Sequence, residues 1–149
     1  AQGITLPAET GNKKESAEVT AFFKENGEKI MTTGKQAQMY ADHYLGFHLS
    51  AMPAYAAASG ANRAAAAALA ANPNDPTLKA EAAAKSEIVE TVFKGTMLRG
   101  TLLTAYAFGT LGSIAAIAAL VSLAGAGVML LLSILGLLHI RRTPKDVTI

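Results

Sequence analysis

The chain has no cysteine and no tryptophan, and its aromatics are limited to five phenylalanines and four tyrosines. The missing thiols exclude disulfide frameworks, thiolate zinc sites, iron–sulfur clusters and cysteine nucleophiles together. The scarcity of aromatic rings argues against a stacking platform for bases or sugars. Strong charge of one sign is missing as well. The net charge is +2, with thirteen Lys and Arg scattered singly or in pairs, so the positive field of a nucleic-acid-binding surface is absent and no nucleic acid is expected as a partner. Glycine-rich phosphate loops, a nucleophile elbow and paired carboxylates at a recognisable spacing are not found, so neither an enzyme nor a small-molecule substrate is expected.

What the chain has in quantity is apolar sequence. Of 149 residues 51% are hydrophobic and only 16% charged, where a soluble domain carries about 25%. The charges are unevenly spread. Residues Ala1 to Thr96 hold nine basic and ten acidic side chains, while Gly100 to Ile140 hold none. As one straight helix those 41 uncharged residues would be about 60 Å long, twice the thickness of the hydrocarbon layer. Leu123-Ala124-Gly125-Ala126-Gly127 is the one place in this region where two glycines flank a single residue. A transmembrane helical hairpin folded there is the preferred expectation. A single span from about Ile114 to Leu138, with Met97 to Ser113 on the membrane surface, is the rival. The expected organisation is a mostly helical extramembrane region over 1–96, the hairpin over 97–140 and a basic tail over 141–149. Arg99 precedes the first arm and Arg141, Arg142 and Lys145 follow the second, so a hairpin would keep both termini cytoplasmic, as a multi-pass protein of the cell membrane. No secretory signal is evident at the N-terminus, and Ala1 suits removal of an initiator methionine.

Before the apolar region the periodicity is helical. Val19, Phe22, Phe23, Ile30 and Met31 recur at near-helical spacing from Ser16 to Thr32. Gly27 and Gly34 weaken that helix. Ala37, Tyr40, Ala41, Tyr44, Leu45, His48, Leu49 and Met52 define a second amphipathic helix that Pro53 stops. Ala51 to Asn72 holds thirteen alanines in 22 residues, a tract with high helix propensity and little side chain to bury. Asn72-Pro73-Asn74-Asp75-Pro76 reads as a turn into a new helix, with Asp75 as N-cap and Pro76 at its first position. That helix is expected from Thr77 to about Lys94. No alternating pattern exceeds four residues, so the fold class is all-α.

Candidate chemistry is sparse. His43 and His48 are five residues apart, about 140° around a helix, and so do not share a face as metal-binding pairs at i, i+4 do. No metal or cofactor is expected. Because Gly100 to Ile140 contains no Asp, Glu, Lys or Arg, the ionisable groups that pumps and proton channels use are missing there. The apolar region does offer a row of small residues, Ala105, Gly109, Gly112, Ser113, Ala116 and Ala119, which would let another helix approach closely. Ser133 and Gly136 of the second arm could fill that face, or a different subunit could dock there. Arg99, Tyr106, His139, Arg141 and Arg142 are the expected anchors at the membrane interface.

The run Phe93-Lys94-Gly95-Thr96-Met97-Leu98-Arg99-Gly100-Thr101-Leu102-Leu103-Thr104-Ala105-Tyr106-Ala107-Phe108, with Tyr40-Ala41-Asp42-His43 and His139-Ile140-Arg141-Arg142, resembles a family of small actinobacterial membrane proteins. These are accessory subunits of the respiratory supercomplex that joins the cytochrome bcc complex to the terminal cytochrome oxidase in mycobacteria. The resemblance implies a non-catalytic structural or assembly role in electron transport beside larger integral membrane subunits, with no cofactor of its own. The alternative is a membrane-surface scaffold or remodelling protein acting by self-association, although its helices lack the basic enrichment usual for lipid-surface binding.

Overall fold

A computed structural model describes residues 3–142, all-α, with helices α1 (Ala17–Asn26), α2 (Gly34–Met39), a π-helix (Tyr40–Leu45), α3 (Gly46–Ser50), α4 (Tyr55–Ala71) and α5 (Pro76–Arg142). The chain divides into two compact units after Gly109. The described part of the first unit, residues 3–109, is called the head.

In the head, the hydroxyl oxygen of Ser16 accepts the Val19 amide and starts α1. The helix expected to reach Thr32 ends at Asn26, because Gly27 and Glu28 turn the chain back. A Cβ on Gly27 would lie 2.6 Å from the Ala8 Cα, and Glu28 adopts φ +60. Side-chain-free backbone is therefore required at Gly27. The reversal lets residues 28–31 pair with the N-terminal segment. Met31 donates to the Ile4 carbonyl at 2.8 Å, Leu6 to Lys29 at 3.0 Å and Glu28 to Leu6 at 2.9 Å. One antiparallel bridge, Thr5 to Ile30, results.

Thr33 and Gln36 cap α2 reciprocally, each side chain meeting the other's backbone N–H. From there the helix continues to Ser50 through the wide π turn, and Pro53 lies just beyond its end as expected. Phe23 and Leu6, both fully buried, form the centre of the core with Val19 and Met39. Beside them Ala37 and Ala41 pack on Leu102 of α5, with Leu98 and Leu103 at the edge. The leading apolar residues of the region expected to start the membrane hairpin thus belong to the core of the head.

Residues 72–75 make the expected turn between α4 and α5, and the Asp75 carboxylate accepts the Thr77 amide at 2.8 Å. The alanine-rich α4 runs back along α5, burying Ala58 and Ala65 and bringing Tyr55 to 6.0 Å from Phe93 between ring centres. Where a helix end near Lys94 was expected, α5 continues.

Candidate membrane-spanning segment

Beyond Thr110 every described side chain is exposed. Leu111, Ile114, Ile117, Leu120, Leu123, Leu131, Leu135 and Ile140 are all at least 58% open. This part of α5 is long and apolar enough to cross a membrane, and none of its apolar window is buried. The few hydroxyls are dealt with locally. Ser122 donates to the Ala118 carbonyl at 2.9 Å and Ser133 to Met129 at 2.8 Å, so both are satisfied within the helix, as a lipid environment demands.

The hairpin turn expected at Leu123 to Gly127 is not formed, since these residues are helical throughout. The physical reason is a balance of costs. Each glycine weakens the helix by about 1 kcal/mol relative to alanine. Ending it would orphan four carbonyls and four amides, and no Asn, Asp, Ser or Pro stands in the run to satisfy or force a break. Ser133 and Gly136 consequently cannot fold onto the small-residue face. Seventeen residues of helix separate Ala116 from Ser133, about 26 Å of axial rise.

The expected contact residues fall into two groups. Gly109 meets the head: a Cβ there would be 3.4 Å from the Gly34 Cα, and a Cβ on Gly34 would be 3.2 Å from the Tyr106 Cα and 3.5 Å from the Ala105 carbonyl oxygen. Glycine at both positions permits near-direct packing of the α2 start on α5. Gly112, Ser113, Ala116, Ser133 and Gly136 lie in the second unit and are exposed, and a Cβ on Gly112 or Gly136 would meet nothing within 4 Å.

The expected interface anchors separate similarly. Arg99 is committed to the head, donating from Nε to the Ala41 carbonyl at 3.0 Å and from Nη2 to the Asp42 carboxylate at 2.8 Å. Tyr106 is half-buried beside Gly34. His139, Arg141 and Arg142 are exposed in the last turn of α5. The tail beyond Arg142, including Lys145, lies outside the described residues.

The Asp42–Arg99 pair and a second pair, His43 to Glu15, were not read from sequence. In the latter, His43 Nδ1 donates to the Glu15 carboxylate at 3.1 Å. Separations of 57 and 28 residues leave no periodic trace in the sequence. His48 instead donates to the Tyr44 carbonyl at 2.8 Å, with Tyr40 stacked on Tyr44 at 5.0 Å. Burial, and secondarily the neighbouring Tyr44, raises the Tyr40 pKa above the usual tyrosine value. Among the described residues, no three His, Asp or Glu side chains converge as a metal site would need. Comparison with protein-family models, curated proteins and solved structures gives no match.

Proposed function

We propose that the protein is a single-span, non-catalytic accessory subunit of a larger membrane complex. The observation that carries this reading is an excess of apolar length. Exposed large apolar residues run from Phe108 to Ile140, 33 residues or about 50 Å of helix, against about 30 Å of hydrocarbon. Tilting by 40°, the upper end of what spans adopt, still leaves about 38 Å to cover. Lipid accommodates one part, and a protein neighbour covers the other. The division tracks composition. Val128 to Leu138 is almost all Leu, Ile, Val and Met and suits acyl chains, whereas Leu111 to Ala119 intersperses Leu and Ile with Gly, Ala and Ser and suits an opposing helix.

In this reading Leu120 to Ile140 crosses the bilayer, and Arg141, Arg142 and Lys145 hold the C-terminus in the cytoplasm. The head then faces the opposite compartment. A hairpin, with both termini cytoplasmic, would need α5 to break at residues 123–127. The resemblance to accessory subunits of the cytochrome bcc–oxidase supercomplex makes that assembly the partner we propose. A surface scaffold is less well supported, because the apolar faces of α1 and α2 are already used inside the head by Val19, Phe23, Ala37 and Met39.

The test is gentle solubilisation and then identification of the proteins that co-migrate. Larger haem- and copper-containing subunits are expected, and recovery only as a free monomer would overturn the proposal. Topology is accessible because the chain has no cysteine: the single-cysteine variants Ser59→Cys and Thr143→Cys are expected to react with a membrane-impermeant maleimide from opposite sides. Labelling of both from one side would favour the hairpin.

A further inference from the structure

Along the first part of α5 one set of wholly or partly buried positions repeats at helical spacing: Leu78, Ala82, Lys85, Val89 and Val92. Four are apolar and one is a lysine. Lys85 is partly buried and makes no hydrogen bond or ion pair with the described residues, at a position its neighbours give to packing. Opposite, α4 presents Ala58, Asn62, Ala65 and Leu69. The antiparallel register fixed by Tyr55 against Phe93 puts Asn62 level with Lys85 to within a residue. Asn62 is half-buried and also makes no hydrogen bond with the described residues. Lys85 and Asn62 are thus the polar residues at this level of two otherwise apolar helix faces.

Next to that level the helices do not meet fully. A cavity of about 300 Å³ is lined by Pro53, Ala57, Ala58, Ala61, Lys85 and Ile88. Its origin is the alanine tract, whose methyl groups are too short to fill the space against α5. From Ala57 to Ala61 the groove runs four residues along α4, about 6 Å, and Pro53, just ahead of the helix, extends it. A mostly apolar groove, open to the surface and carrying one positive charge, is complementary to an acyl chain ending in an anion.

We propose that this groove binds a fatty acid, its chain against Ala57, Ala58, Ala61 and Ile88 and its carboxylate at Lys85. This site is independent of the subunit role argued above. The experiment uses the full chain in nanodiscs of zwitterionic lipid, with displacement of a fluorescent fatty acid by dodecanoic acid or by dodecanol. Dodecanoic acid is expected to displace the probe saturably and the alcohol far less well. Lys85→Gln should weaken the acid about tenfold or more, the loss of one charge-assisted contact, while leaving the alcohol unchanged. Ala61→Leu, which retains helix propensity, should abolish binding of both at unchanged helicity. Equal displacement by acid and alcohol, insensitivity to Lys85→Gln, or no saturable binding would overturn the proposal. So would loss of co-purifying subunits in Ala61→Leu without any fatty-acid binding by the parent chain, which would assign the groove to a protein side chain.

Discussion

The head and the helix beyond Thr110 place their apolar side chains in opposite ways. Between residues 3 and 109 a handful of large groups, Phe23, Leu6, Met39, Val92 and Leu102, are withdrawn from solvent, and glycines and alanines bring backbones together around them. Between 110 and 142 the side chains are as apolar, yet none is buried. The difference lies in the charges. Polar residues interleaved at helical spacing give the first region a wet face and a dry face, so it can fold on itself. A helix apolar all round has no such choice and must take its surroundings as solvent.

That contrast can be broken most forcefully at Phe23. Phe23→Ala should cost the head about 3–5 kcal/mol, much of the stability of a small domain, while the helical signal of residues 110–142 survives in detergent. Urea titration monitored by circular dichroism checks this, and loss of all helicity in one step would show that the two regions fold as one. The reverse perturbation is Leu131→Arg, expected to cost membrane insertion about 2.5–3.5 kcal/mol and to leave the head's denaturation midpoint unmoved. Alkaline carbonate extraction measures it. Leu111→Arg, outside the proposed span, should have a clearly smaller effect on extraction.

Arg99→Met sharpens the comparison at the edge of the head. It removes the guanidinium from the Ala41 carbonyl and the Asp42 carboxylate, and because the pair is about two-fifths exposed the loss should be only about 1 kcal/mol in the urea midpoint. Smallest is the effect of pH through Tyr40. Its pKa is raised in the folded head, so the stabilisation is complete below the ordinary tyrosine value of 10.0 and is lost as pH rises through the higher folded value. Tyr40→Phe should flatten the alkaline fall of the head's melting temperature without altering that temperature's response to acid.

Much of this could be read from local chemistry. Pro53, Asp75 and Pro76 punctuate the helices as their side chains dictate, and the alanine tract is helical because alanine has the highest helix propensity. The end of α1 was not legible. Ile30 and Met31 continue its periodicity, and the turn at Gly27 is decided by Ala8, nineteen residues earlier, whose backbone leaves no room for a Cβ. Gly34 and Gly109 present the same problem in another form, because the reason for a small residue at one lies 75 positions away at the other. In the apolar region the glycines at 125 and 127 suggested a break that cooperative helix bonding overrides. The unbroken apolar character of the helix was the most legible property of all, since it stems from an absence of charge.

The π-helix from Tyr40 to Leu45 is one residue wider per turn than the helices on either side. The Gly46 amide reaches back five positions to the Ala41 oxygen, which also accepts from Arg99, so a single carbonyl serves two donors. Such a loop behaves as an insertion retained within an otherwise regular rod. Excising one residue here would restore ordinary winding but rotate the upstream turns by roughly 100° relative to α3, carrying Ala37 off Leu102. The extra residue is thus a phase adjuster: it lets one continuous helix from Gly34 to Ser50 aim its two ends at different neighbours.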